Sequence, residues 1–119
     1  MVMVTWGAGT AKYRVDDNTP GRLLKFPPEG WARLESVRAD EWRRYNPQPV
    51  KIAVARFVEV DSMQVPHWID LKPGQYLQGL LAQIGEDRRV YVVTIPAPEA
   101  HRHIGDRWPR VVGAEERPV

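Results

Sequence analysis

Three histidines and their neighbouring carboxylates are the residues of this chain best suited to proton transfer. His67 stands three positions before Asp70, and His101 five before Asp106. An imidazole oriented by a carboxylate is the usual general base. No nucleophile joins either pair, because the two serines, Ser36 and Ser62, lie outside any nucleophile-elbow context. On a strand, His101-Arg102-His103 would set both rings on one face, as metal ligation needs. Asp106, His67 or Asp70 would then have to supply a third ligand. Two imidazoles fall short of the three or four converging donors of a metal site, and prolines around them suggest an exposed loop. The sequence therefore assigns no catalytic residue, no metal ligand and no cofactor. A small acid–base or metal-dependent enzyme is the third choice.

A second kind of chemistry is anion recognition. Gly7-Ala8-Gly9-Thr10-Ala11-Lys12 follows a strand, as phosphate-cradling loops do. It lacks the third glycine of a dinucleotide fingerprint and the Gly-Lys-Ser/Thr of a phosphate loop. A hairpin turn is the better reading. Arginines interleaved with aromatics carry more weight. Arg38, Trp42, Arg43, Arg44 and Tyr45 form one group, Arg88, Arg89 and Tyr91 a second, and Arg102, Arg107, Trp108 and Arg110 a third. Arginine neutralises phosphate while an aromatic face stacks on bases, so these groups suit a nucleic-acid surface. Tryptophan, tyrosine and arginine also dominate protein interfaces. Trp42 and Tyr45 equally suit the buried side of a helix, and Trp68 and Trp108 suit plugs over the sheet ends.

These residues need elements to hold them. Residues 50–60 form an apolar, β-branched run that reads as a strand. In residues 73–85, Leu77, Leu80, Leu81 and Ile84 recur at i, i+3, i+4 and i+7, which predicts a helix with Pro73 in its first turn and Gly85 just past its end. Residues 89–95 read as a strand closed by Pro96. Residues 2–6, 11–15 and 22–26 predict a short meander with turns at 7–10 and 16–21. A helix is expected over 35–45, stopped before Pro47, with a start at Asp40 as its cap the alternative. Residues 61–71 are expected to be loop, and 108–112 an edge strand.

The composition sets bounds. The 119 residues, 43% hydrophobic with five tryptophans, suit one folded domain. No cysteine is present, which excludes disulfides, thiolate catalysis and Cys-type zinc sites. Seventeen basic against fifteen acidic residues give a net charge of only +2, small for a dedicated nucleic-acid binder. No apolar run approaches a membrane span, and residues 1–6 lack a signal-peptide pattern, so no membrane partner and a cytoplasmic location are expected. The predicted class is α+β: a four- to five-stranded, mainly antiparallel sheet (a mixed one is the alternative) with one or two helices on one face. Residues 1–112 form the domain and 113–119 a mobile C-terminal tail. The expected function is a non-enzymatic binding or regulatory module acting on a protein partner or a second copy, suited to an accessory role in a phage, plasmid or bacterial operon. Nucleic-acid binding is the alternative. The expected contacts are Arg38, Trp42, Arg43 and Arg44, then Arg102, Arg107, Trp108 and Arg110.

Overall fold

The computed structural model describes residues 3–6, 9–12 and 25–116. Strands dominate. In chain order they are β1 (Met3–Trp6), β2 (Gly9–Lys12), β3 (Trp31–Arg33), β4 (Gln48–Ile52), β5 (Arg56–Val60), β6 (Pro66–Asp70), β7 (Gln75–Ile84), β8 (Asp87–Pro96), β9 (Arg107–Pro109) and β10 (Val111–Gly113). Among the described residues one α-helix, α1, covers Leu34–Arg38, and 3₁₀ turns sit at Arg43–Tyr45 and Glu99–His101. A hairpin of β1 against β2 is present at the N-terminal end, but its second strand starts at Gly9, inside the turn expected over 7–10, and residues 13–15 of the expected return strand lie outside the described residues. The turn at 16–21 and most of the third strand lie outside the described residues, as do 117–119.

The helix expected over residues 73–85 is instead strand β7, which forms an antiparallel hairpin with β8. The periodicity misled because β7 is buried on both faces. An apolar run of that kind satisfies a helical spacing as readily as a strand. Leu77 enters one core cluster, while Leu80 and Ala82 enter the other. Gly79, unfavourable in a helix, has a clear role in the sheet. A Cβ there would stand 2.9 Å from the side chains of Ile52 and Val50 on neighbouring β4, so only glycine lets β4 lie flat. Gly85 opens the two-residue turn with φ +60°, while Glu86 keeps a negative φ, the pattern of a type II′ hairpin.

The apolar run at 50–60 is also two elements, not one. Strand β4 pairs with β7, whereas β5 pairs with β1 and β6. The chain changes sheet across residues 53–55, and hydrophobicity does not report such a switch. The helix expected over 35–45 shrinks to α1. Residues 31–33 pair in parallel with β8, Asp40 adopts a left-handed φ of 62°, and Asn46 another of 46° before Pro47. A left-handed residue cannot continue a right-handed helix. The helix therefore breaks at Asp40, in the middle of the expected stripe.

Two sheets result. One is four-stranded in the order β2-β1-β5-β6, and the other is a six-stranded mixed sheet built around β7 and β8. Leu77 pairs with Ile52 on one side and Val111 on the other, while Thr94 pairs with Arg33 and Pro109. Residues 107–113 therefore fill the split where β7 and β8 diverge, crossing from one to the other at Arg110, rather than forming the single edge strand expected at 108–112. One face of the large sheet packs Leu77, Val92 and Trp108 against Phe57 of the small sheet. The other packs Leu80, Tyr91 and Val93 beneath Phe26, Leu34 and Trp42. The molecule is thus richer in strands and poorer in helix than an α+β expectation, with the little helix it has on the second face. Residues 113–116, assigned to the tail, close a turn in which Glu116 N–H donates to the Gly113 carbonyl.

Candidate functional site

The small sheet shows the molecule's apolar surface. Its β5–β6 hairpin bears Val60, Met63, Val65 and Trp68, which are 41, 80, 49 and 44% exposed, and these are the large hydrophobic residues left exposed among residues 25–116. Strand alternation explains the pattern. Phe57 and Ile69, opposite each other, turn inward to the core, whereas Arg56, Val58, Val60, Pro66, Trp68 and Asp70 share the other face, on which Val58, directly opposite Trp68, is itself buried. The Arg56 guanidinium lies 4.4 Å from the Trp68 ring centre, a cation–π contact. Within the loop expected over 61–71, residues 66–70 are instead strand β6. The alternation Pro66-His67-Trp68-Ile69-Asp70, with Ile69 inward, was the available signal.

Asp61 shapes the tip of this hairpin. One carboxylate oxygen accepts from the Met63 and Val65 backbone N–H groups at 2.8 and 3.0 Å, and the other from His67 Nε2 at 2.7 Å. The His67 bond, with the two amides, holds this carboxyl below the usual range. His67 thus pairs with Asp61, not with Asp70, which lies on the opposite face of β6. Glu59 stands directly across from His67, at the rim of the core, and burial raises its carboxyl to about 7.

The other two histidines do not pair as the spacing suggested. His101 stacks on Trp108 with ring centres 4.4 Å apart and planes 4° apart, and Asp106 is not its partner. Its backbone ends a 3₁₀ turn rather than lying on a strand. The His103 ring stands 6.3 Å from that of His67, edge to face. Among the described residues no three His, Cys, Asp or Glu side chains are placed to hold a metal ion.

The arginine–aromatic groups separate in space. Trp42 is buried, 4.8 Å from the Tyr91 ring and 5.5 Å from that of Tyr45. Tyr91 donates its hydroxyl to the Pro27 carbonyl at 2.8 Å. Trp108 is buried edge-to-face on Phe57. The aromatic faces are thus spent on the core. Arg38, Arg43, Arg44 and Arg102 remain exposed. Arg107 is tied down: it forks onto both Glu35 oxygens at 2.7 and 2.9 Å and donates to the Thr94 carbonyl at 2.7 Å. That guanidinium draws the Glu35 carboxyl down to about 2. Arg110 bonds buried Gln78 and reaches Glu116 at 3.2 Å, fastening the crossing point between β9 and β10.

A shallow groove of about 370 Å³ lies between residues 53–55 and 71–76. Among the described residues no helix is long and apolar enough to cross a membrane. Comparison with known proteins adds no relative: no family model, no curated protein and no solved structure matches this chain.

Proposed function

We propose that this chain is a non-enzymatic binding module that contacts a protein partner through its β5–β6 hairpin. The observation that carries this reading is the gathering of Val60, Met63, Val65 and Trp68 on one hairpin. Clustered exposed apolar side chains mark interaction sites, whereas scattered ones need no explanation. Trp68 beside Arg56 joins two residue types that anchor protein interfaces. The proton-transfer candidates favour scaffolding over catalysis. Asp61 spends its acceptors on the hairpin tip, and His67 spends one ring nitrogen on Asp61. Stacking on nucleic acid has less support, since Trp42, Tyr91 and Trp108 are buried.

Panning a displayed library of random heptapeptides against the full chain tests the reading. Enriched peptides should bind the wild type and lose tenfold or more in affinity on Trp68→Ala, with the variant's circular dichroism spectrum unchanged. No enriched peptide, or peptides indifferent to Trp68, would overturn it.

A further inference from the structure

The β6 edge has a definite hydrogen-bonding pattern. Asp61 N–H donates to the Val65 carbonyl and Leu71 N–H to the Ala55 carbonyl, at 3.0 and 2.9 Å. Those bonds bracket the β5–β6 ladder, in which Glu59 faces His67 and Phe57 faces Ile69. In an antiparallel pair, bonded and non-bonded residues alternate. His67 and Ile69 therefore direct their N–H and C=O groups at β5. Pro66, Trp68 and Asp70 direct theirs away from it. Among the described residues no strand lies on that outer side of β6. Pro66 fits this parity, because a proline is tolerated in a strand where its nitrogen faces outward. At the far end Lys72 N–H is already taken by the Gln75 side chain at 2.8 Å, which closes the open stretch after Asp70.

Resting on the binding reading above, we infer that the partner is an extended peptide segment that adds to β6 as an antiparallel strand, with a basic residue opposite Asp70. Trp68 and Asp70 each offer one donor and one acceptor, and Pro66 offers an acceptor alone. One heterologous strand thus makes five backbone bonds. A second copy of the chain centred on Trp68 makes only four, because Pro66 of each copy has no N–H for the Asp70 carbonyl of the other. Side chains add the selectivity. Trp68 takes an apolar residue on its own face. Asp70 is exposed and forms no ion pair among the described residues, so a lysine or arginine there completes the charge. Main-chain bonds for affinity and alternate side chains for selectivity are the logic of strand addition.

The test uses peptides enriched on the full chain, each remade with backbone N-methyl groups at alternate positions. One N-methylated set should lose binding tenfold or more and the other keep it. Bound peptide should slow amide exchange at Trp68 and Asp70 while leaving His67 and Ile69, already bonded to β5, unchanged. Asp70→Asn should weaken peptides carrying a basic residue two- to fivefold at low salt. Peptides that bind through Trp68 but tolerate either set of N-methyl groups would overturn the strand geometry while leaving the binding surface standing. Trp68 and Asp70 amides that gain protection with rising protein concentration and no peptide would assign the edge to a second copy and overturn the proposal.

Discussion

Replacing Glu59 by glutamine should stabilise the protein at neutral and alkaline pH and leave it nearly unchanged in mild acid. Glu59 sits at the rim of the core beside Phe57, and burial raises its carboxyl from 4.5 to about 7. A folded-state value above the unfolded one favours the protonated form, so its contribution to stability is fully present below about 4.5 and is lost as pH rises through 7. The full difference corresponds to roughly 3 kcal/mol. Part of the side chain remains in water, which screens the penalty and leaves about 1–2 kcal/mol. For a domain of this length that is a rise in melting temperature on the order of 4–8 °C. Melting curves of wild type and Glu59→Gln, recorded at pH 5, 6, 7 and 8, measure it. Every other ionisable group is common to both proteins and drops out of the difference. The gap should open between pH 5 and 8. A gap that stays constant with pH, or is widest at pH 5, refutes the assignment of a desolvated carboxylate.

Two further substitutions probe the sheet and its cover. Gly79→Ala drives a methyl group into Ile52 and Val50 and should lower stability by about 1–3 kcal/mol, read from urea denaturation; an unchanged midpoint would mean that β4 yields freely. Trp42→Ala empties the layer over Tyr91 and should cost about 3–5 kcal/mol, whereas Arg43→Ala and Arg44→Ala on the exposed turn should stay within about 0.5 kcal/mol. Equal losses at all three positions would contradict their placement.

Legibility in the sequence followed the kind of force involved. Strand β8 is legible because branched residues and Pro96 mark it locally, whereas Gly9, which reads as part of a turn, instead opens strand β2 opposite Trp6. Strand β7 is not legible, since Leu77, Leu80, Leu81 and Ile84 obey two periods at once when both faces are covered. The residue that distinguishes them is Gly79, whose reason lies on β4, a separate stretch of chain. The expected contact groups show the same limit. Adjacent letters such as Arg107-Trp108 suggest one surface, yet strand alternation sends the arginine to Glu35 and the indole to Phe57. Trp68 reads as a plug over a sheet end rather than a residue on an open strand face because its strand is short and exposed on one side, with only Ile69 to betray its inward face.

The segment that fills the split between β7 and β8 bears on how the chain folds as it is made. The β7–β8 hairpin is local and can zip once residue 96 has emerged. Its far ends, residues 75–77 and 94–96, take their lateral partners from residues 107–113. Until those arrive, both ends present unpaired backbone to the surroundings, the condition under which nascent sheets misassociate. The parallel pairing of β3 with β8 likewise waits on some sixty intervening residues, a non-local closure that slows folding. Between the emergence of residue 96 and that of residue 107 the hairpin therefore displays two lateral edges that the finished sheet covers.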